Sequence, residues 1–268
     1  MIPLYAFYFL AAIAIWLGLV SLRGGVRFVR YLQAELAKEL SEFTPLATVF
    51  VPCRGLDDGL AENISAIFAQ DYPAFEVVFV SDRADDPALT VVNEARRSFD
   101  KQTGPLIRIV IAGSATDSGQ KVHNLRVAIR EADPMSEIFV FVDTDVRPSV
   151  DWLRSLVASL KEENIGAATG YRWFLSINSG LPSYLRSVWN ASIASALGER
   201  GAKNFCWGGA TAIRRETFAR LNIAERWRGT VSDDFTMTRA LHQARSKAIP
   251  TRGTRTTKLT SASPAYSC

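Results

Sequence analysis

A short run of large apolar residues that stops at two carboxylates constrains this chain more than any other feature. Ile138 to Val142 is too short for a typical helix and is rich in β-branched and aromatic side chains, so it predicts a strand buried on both faces. Asp143 and Asp145 follow at the carboxyl end of this strand, which is the end where open α/β sheets bind ligands. Residues i and i+2 on an extended backbone point the same way, so the two carboxylates are predicted to converge.

The segment Asp143-Thr144-Asp145, called the DTD segment below, has two interpretations. A hard divalent cation takes oxygen ligands and keeps open positions for substrate phosphate, so convergent carboxylates predict a metal and diphosphate site. Asp143 and Asp145 are then the candidate metal ligands. The alternative is an aspartate-rich turn with a solvated tip, and the segment alone does not decide between the two.

The start of the chain predicts a membrane anchor. Pro3 to Leu22 carries no charge, and a helix of about 20 residues spans a hydrocarbon core of about 30 Å. The segment has neither a basic leader nor a clear cleavage site, so it does not match a signal peptide. Arg23, Arg27 and Arg30 follow it, and the positive-inside bias then places the N-terminus outside and the rest of the chain in the cytoplasm. A buried core helix is the alternative.

The hydrophobic pattern divides the chain into three parts. Val26 to Phe43 continues the first segment as an amphipathic helix, which Thr44-Pro45 ends. From Arg245 to Cys268 the chain is polar and rich in threonine and serine, so it cannot bury enough apolar surface to order itself. We therefore predict an anchor and juxtamembrane helix over residues 1–43, a globular domain over 44–244 and a disordered or truncated tail over 245–268.

The globular part alternates predicted strands with predicted helices. Strands separated by helices of this length give right-handed parallel crossovers, so we expect an α/β fold with a doubly wound, mostly parallel sheet. Neither a glycine-rich dinucleotide fingerprint nor a P-loop follows a strand, so a nucleotide would be held in another way. The strands are predicted at Leu46–Val51, Glu76–Ser81, Leu106–Ile111 and Ile138–Val142, and the helices at Asp58–Ala69, Pro87–Phe99 and Gly119–Glu131.

Composition limits the classes of partner. With 268 residues, 48% of them hydrophobic, the chain can hold one good-sized α/β domain and an appendage. A formal net charge of +4 fits an anionic membrane face or a polyanionic substrate. The sequence shows no basic run with interleaved aromatic residues, so nucleic-acid binding is not predicted. Cys53, Cys206 and Cys268 show no C-x-x-C spacing, which favours a reducing compartment over a zinc or disulfide scaffold.

A second strand end also carries a candidate ligand-binding carboxylate. Asp82 follows the strand that ends at Ser81 and, if it faces the crevice, can accept hydrogen bonds from a base or ribose. Asp85 and Asp86 precede the helix at Pro87, where negative charge near a helix N-terminus is a sufficient explanation.

Seven short motifs follow one another between about Leu46 and Leu241. They are V-P-C-R-G-L-D from Val51, Q-D-Y-P-A-F-E-V from Gln70, V-S-D-R-A-D-D-P-A from Val80, K-V-H-N-L from Lys121, V-D-T-D from Val142, W-G-G-A-T-A-I-R-R-E from Trp207 and S-D-D-F-T-M-T-R-A-L from Ser232. In this order they resemble family 2 glycosyltransferases, and most of all the branch that contains the ceramide glucosyltransferases. Any single motif is weak, but seven in the family's order are specific.

The resemblance implies a GT-A fold that transfers a sugar, with inversion, from a nucleotide donor. It implies Mg²⁺ or Mn²⁺ on the diphosphate, held by the DTD segment. Asp234 matches the general base of the family, although Asp233 stands where the family has glutamate. The implied donor-binding residues are Asp82 near uracil, Lys121 and Asn124 near the nucleotide and phosphates, Asp143 at the diphosphate, and Gly208 and Gly209 beside the donor sugar.

Elementary chemistry is consistent with these roles. Direct displacement needs a base for the acceptor hydroxyl on one face of the sugar and charge neutralisation at the departing diphosphate on the other. Asp234 can supply the first, and a divalent ion on Asp145 the second. The alternative for Ser232 to Asp234 is a helix cap with two N-terminal acids, because a helix is predicted from Phe235 to Gln243.

The predicted function is the transfer of a hexose such as glucose from a UDP-sugar to a lipid hydroxyl. The lipid acceptor, ceramide-like or hopanoid-like, follows from the anchor and the family branch. Four aromatic residues are candidates for an acceptor groove at the membrane, although we expect at least two of them to be core: Trp173, Trp189, Phe205 and Trp207. The alternative function is a catalytically impaired protein that binds a nucleotide sugar, because the family's (R/Q)-x-x-R-W motif is missing after Leu241.

Overall fold

A computed structural model of the chain describes residues 2–37, 41–99, 104–170, 180–194, 204–247 and 258–261. The helices are α1 (Ile2–Leu36), α2 (Leu60–Phe68), α3 (Pro87–Ser98), α4 (Gln120–Ala128), α5 (Trp152–Ala158), α6 (Leu181–Ala194), α7 (Arg215–Arg220), α8 (Ile223–Arg226) and α9 (Asp233–Lys247). The strands are β1 (Ala47–Pro52), β2 (Phe75–Ser81), β3 (Leu106–Ile111), β4 (Ile138–Phe141), β5 (Ile165–Thr169), β6 (Thr211–Arg214) and β7 (Lys258–Ser261).

The strands form one sheet in the order β3-β2-β1-β4-β6-β5-β7. Strands β3, β2, β1 and β4 run parallel, and β6 is antiparallel to both of its neighbours. The predicted α/β fold with a mostly parallel sheet is confirmed. Since β2, β1 and β4 are adjacent and parallel, their carboxyl ends meet at one edge, which brings Asp82, Cys53 and the DTD segment together.

Both faces of the central strands are covered, which explains why their sequences are mostly apolar. One face contributes Val49, Val77 and Val140 to a core closed by α2, α3 and α5. The other face contributes Phe50, Val78 and Phe141 to a core closed by α4, α7, α8 and α9.

The second core fixes the start of α9 against the sheet. The Trp227 ring packs edge-on against Phe141 of β4 and Phe218 of α7, with ring centroids 5.6 and 5.5 Å apart. Trp227 is fully buried, and its indole N–H donates to the backbone carbonyl of Asp233 at 3.0 Å. Burial of large aromatic surface therefore holds the first turn of α9 beside the carboxyl end of β4.

Helix α1 is long and apolar enough to cross a membrane between Pro3 and Tyr31, and no residue of its most apolar window is buried in the molecule. The helix ends at Leu36, whereas the sequence predicted a helix to Phe43. Ser41 and Phe43 are not helical, because the Ser41 hydroxyl accepts from the Phe43 amide at 3.1 Å and so competes with helical hydrogen bonds.

Two parts of the C-terminal stretch have regular structure. Helix α9 continues through Lys247, and Lys258–Ser261 form β7, which pairs in parallel with β5. The prediction of a tail without regular structure is therefore wrong for these residues. Periodicity could not reveal β7, because a strand of four residues that joins a preformed edge takes its hydrogen bonds from the sheet. The rest of the stretch lies outside the described residues.

Candidate functional site

A cavity of about 290 Å³ opens where β1, β2 and β4 end. Three strand ends and the first turns of α4 supply its walls. Asp82, Lys121, Asn124 and Asp143, which the sequence singled out, all lie here. They are joined by Pro52, Cys53, Arg54, Gln120 and Thr144.

Lys121 connects the DTD segment with the start of α9. Its Nζ lies 2.7 Å from Asp143 Oδ1 and 3.5 Å from Asp233 Oδ1. The Asp143 side chain is 26% exposed and that of Asp233 is 8% exposed, so water screens these ion pairs only partly. A single ammonium group thus neutralises carboxylates from two distant segments.

The charges of this cluster shift its proton affinities. Burial alone would lower the pKa of Lys121, but the carboxylates of Asp233, Asp143 and Asp234 raise it above its ordinary value. Burial raises the pKa of Asp233, and Asp234 and Asp143 add to that rise, whereas the Lys121 ammonium lowers it. Lys121 is therefore charged at neutral pH, and Asp233 binds a proton more tightly than an exposed aspartate does.

Gly208 lies between Asp234 and Lys121. A Cβ atom on Gly208 would lie 3.2 Å from Asp234 Oδ2 and 3.5 Å from Lys121 Nζ. Asp234 Oδ1 accepts hydrogen bonds from the Ser232 hydroxyl and from the Phe235 amide, the latter at 2.7 Å. Oδ2 therefore faces the glycine turn, while Oδ1 holds the carboxylate in place.

Ser232 also caps α9, since its hydroxyl oxygen accepts from the Phe235 amide at 3.2 Å. The capping role that the sequence offered as an alternative for this segment is thus present. It is compatible with a chemical role for Asp234, because the two oxygens of that carboxylate face different partners.

Two hydrogen bonds hold the middle of the DTD segment. The Thr144 hydroxyl donates to Asp57 Oδ2 at 2.7 Å, and the Asn63 side-chain amide donates to the Thr144 carbonyl at 3.0 Å. Asp143 consequently lines the cavity, whereas Asp145 is exposed on the turn that follows.

A family model for glycosyl transferase family 21 matches residues 6–258. The chain belongs to glycosyltransferase family 21. This family includes ceramide glucosyltransferase, so the resemblance predicted from the motifs is confirmed. Membership supports sugar transfer as the activity of this family 21 chain.

Two solved structures share the fold of this family 21 chain. The mannosyltransferase PcManGT from Pyrobaculum calidifontis, in complex with GDP-Man and Mn²⁺, aligns over 95% of this chain and 68% of its own, with TM-score 0.56 and 22% identity. A fragment of S. aureus TarS in complex with UDP-GlcNAc aligns over 82% of this chain, with TM-score 0.51 and 18% identity. The chain spans 57% of the length of that fragment. These similarities establish the GT-A fold.

The DTD segment offers a divalent ion only part of a ligand set. In the described ranges, no three His, Cys, Asp or Glu side chains are grouped so that they could hold a metal ion. Asp143 and Asp145 supply hard oxygen donors beside a cavity, and Mg²⁺ is commonly held by one or two carboxylates together with substrate phosphates and water. The residues therefore fit an ion that arrives with a diphosphate.

Gln120 was not among the predicted site residues, and Asp86 was predicted only to place negative charge near a helix N-terminus. Gln120 bridges the loop before α4 to the helix, because its Nε2 donates to Gly113 O at 2.8 Å and to Asn124 Oδ1 at 2.7 Å. Asp86 is buried, and it accepts from the Gly55 amide at 3.0 Å and from the Ser81 hydroxyl at 2.8 Å. A glutamine at the start of a helix gives no sequence signal for the two hydrogen bonds that Gln120 donates.

Replacing Asp86 with alanine is expected to destabilise the fold by about 2 kcal/mol at pH 7, through loss of charge-assisted hydrogen bonds and of the α3 cap. Burial would raise the pKa of Asp86, but bonds from Ala88, Ser81 and Gly55 bring it below its ordinary value of 3.8. A lowered folded pKa gives stability that is present above pH 3.8 and is lost as the pH falls further. Urea unfolding in detergent should therefore show a smaller difference in the free energy of unfolding between variant and parent at pH 3 than at pH 7.

The matched control for this prediction is Asp85→Ala, since the Asp85 side chain is 84% exposed and pairs with Arg83 on the surface. Equal destabilisation by the two variants would contradict the assigned role of Asp86.

Replacing Gly208 with alanine is expected to lower sugar transfer at least tenfold with little loss of stability. The added methyl group would enter the space between Asp234 Oδ2 and Lys121 Nζ, where we expect the donor sugar. Steady-state rates at saturating donor measure the effect. Gly24→Ala is the matched control, because nothing lies within 4 Å of a Cβ at Gly24. Unchanged transfer by the Gly208 variant would contradict this placement of the sugar.

The aromatic residues considered for an acceptor groove differ in environment. Trp189 is 73% exposed on α6, so it is not core. Phe205 and Trp207 are half-buried and stack with ring centroids 5.5 Å apart. Trp173 lies outside the described residues. Trp207 is next to Gly208 in the chain, so the stacked pair adjoins the site.

Proposed function

We propose that this chain is a membrane-anchored, inverting glycosyltransferase that moves a hexose, with glucose as the first candidate, from a UDP-sugar to a lipid hydroxyl. The observation that carries the proposal is the arrangement around Gly208. Asp234 Oδ2 and the Lys121 ammonium approach this glycine from α9 and α4, beside a cavity at the strand ends. A base and a cation on two sides of one small-residue turn suit displacement at a sugar carbon.

In this proposal the donor lies across the strand ends. Asp82 accepts hydrogen bonds from the uracil, and Asn124, which Gln120 orients, lies beside the nucleotide. Lys121 faces the diphosphate, where its positive charge opposes the charge that builds on the leaving group. Gly208 and Gly209 leave room for the donor sugar.

Asp143 and Asp145 would hold Mg²⁺ or Mn²⁺ on the diphosphate, and the ion would act there as a Lewis acid that neutralises the leaving group. Asp234 Oδ2 takes the proton of the acceptor hydroxyl as the new bond to the anomeric carbon forms. Ser232 and the Phe235 amide keep Oδ1 fixed, so the carboxylate does not reorient during the reaction.

The acceptor side of the proposal rests on α1. The helix crosses the membrane with its N-terminus outside, and Arg23, Arg27 and Arg30, all exposed, lie at the cytoplasmic lipid headgroups. A catalytic domain held at that surface meets membrane lipids rather than dissolved sugars. The lipid hydroxyl, ceramide-like or hopanoid-like, is the acceptor.

A panel of labelled nucleotide sugars tests the proposal. Membranes that contain the chain are incubated with UDP-glucose, UDP-galactose, UDP-GlcNAc and GDP-mannose, and the lipid fraction is extracted. We expect label in lipid from a UDP-hexose, loss of at least nine-tenths of it on chelation, and recovery with Mn²⁺. UDP binding without transfer to any lipid would favour the alternative of an impaired nucleotide-sugar-binding protein.

A further inference from the structure

Phe28 anchors α1 to the catalytic domain. It is 9% exposed, whereas Val26 and Val29 on the same helix are 42% and 52% exposed. Phe28 packs in a small cluster with Tyr31 of α1 and Trp207 of the domain. Burial of this aromatic ring between the exposed residues Arg27 and Val29 marks a point at which the helix and the domain adhere.

Trp207 is joined firmly to the site. Its amide donates to Thr169 Oγ1 at 2.8 Å, and its carbonyl accepts from the Ala210 amide at 3.0 Å and from the Thr211 hydroxyl at 2.9 Å. These bonds tie Trp207 to the ends of β5 and β6, and Gly208 is the next residue. The helix is therefore attached one residue away from the turn that contacts Asp234.

The sequence of α1 indicates how far this attachment lies from the hydrocarbon core of the membrane. The charge-free stretch ends at Leu22, and Arg23 follows it. At the helical rise of about 1.5 Å per residue, Phe28 lies about 9 Å beyond Leu22 along the helix axis. The polar layer of one leaflet is about 5–8 Å thick, and a tilted helix would bring Phe28 closer to the lipid.

We propose that the contact between Phe28 and Trp207 sets the depth of the active site, so that the chain glycosylates lipids whose hydroxyl lies within about 10 Å of the hydrocarbon core. This inference rests on the proposed function. The class of acceptor is a lipid with a small head, whose hydroxyl sits close to its tails. Lipids that carry their hydroxyl at the end of a long polar head are selected against, because the site cannot move outward to meet them.

A change in the length of α1 tests the inference in the full chain. Seven helix-forming polar residues inserted between Arg23 and Gly24 move Phe28 outward by about 10 Å and keep it near its original side of the helix, since seven residues make almost two turns. The matched control carries the same insertion after Ala37, which leaves the Leu22 to Phe28 spacing unchanged. Each protein is placed in vesicles with synthetic lipids that share their tails and differ in the length of a polar spacer before the hydroxyl.

The parent and the control are expected to prefer the lipid without a spacer by at least tenfold in kcat/KM. The variant with seven residues inserted between Arg23 and Gly24 should instead prefer the lipid with a spacer of about 10 Å. Phe28→Ala, as a second variant, should reduce the preference to less than threefold. An unchanged preference in the insertion variant, with UDP still bound, would overturn the inference while leaving the proposed function intact. Transfer to no lipid by the parent would overturn both.

Discussion

Replacing Asp234 with asparagine is expected to lower the rate of sugar transfer by about 1,000-fold while leaving the affinity for the UDP-sugar nearly unchanged. Loss of a general base typically costs between about 100-fold and 10,000-fold in rate. An asparagine side chain keeps the size of the carboxylate but cannot accept the acceptor proton. Single-turnover rates and UDP titration by calorimetry separate the two effects.

Asp71→Asn is the matched control, because Asp71 is exposed and lies before β2, at the edge of the sheet opposite the cavity. It should transfer sugar at the parental rate. A decrease below tenfold in the Asp234 variant, or an equal loss of donor affinity, would show that Asp234 is not the base.

The second large effect is expected at Lys121. Replacement by methionine keeps most of the length of the side chain but removes the ammonium that lies 2.7 Å from Asp143 and 3.5 Å from Asp233. The carboxylates of Asp143, Asp233 and Asp234 then lack the cation that they share. We expect kcat/KM for transfer to fall by about 100-fold, since removal of one preorganised charge contact at a transition state costs that much.

The pH profile distinguishes this effect from simple loss of structure. Lys121 lowers the pKa of Asp233 against the upward effect of burial, so its removal raises that pKa further. The pH profile of the Asp233 carboxyl, followed by NMR titration, should therefore move to higher pH in Lys121→Met. Lys161→Met, an exposed lysine remote from the cavity, should leave both rate and profile unchanged. A profile that keeps its shape in the Lys121 variant would contradict the charge coupling.

Strand ends were the most predictable part of this molecule. Ile138 to Val142 and Val77 to Val80 are apolar throughout because parallel strands are buried on both faces, and that pattern is visible in a sequence. The positions of Asp82 and Asp143 follow from it, since adjacent parallel strands end at one edge. The family motifs added Lys121 and Asn124, which line the same cavity.

Contacts between distant segments were not predictable in the same way. The sequence does not say that Lys121 meets Asp143 and Asp233, because the packing of α4 and α9 on the sheet decides these distances. Exposure of Asp145 fits the aspartate-rich turn with a solvated tip that the sequence left open as the alternative. Residues i and i+2 converge only on extended backbone, and the chain leaves β4 at Phe141, before the DTD segment.

The hydrophobic pattern also could not predict that strand β6 runs antiparallel to its neighbours. Thr211–Arg214 form β6, which runs antiparallel between β4 and β5, although four residues give too little periodicity to predict direction. That reversal places Trp207 to Gly209 at the carboxyl end of β4, beside the DTD segment. The motif around Gly208 was recognised, but its approach to Asp234 depends on the reversed strand.

A structure of the Asp234→Asn variant bound to a UDP-hexose and Mn²⁺ tests the central claim most directly. The account predicts uracil beside Asp82, diphosphate beside both Lys121 and the DTD segment, and the sugar against Gly208. Residue 234 should then lie across from the leaving group, with space for one hydroxyl oxygen at about 3–3.5 Å from the anomeric carbon. A nucleotide bound away from the strand ends, or a residue 234 on the same side of the sugar as the diphosphate, would contradict it.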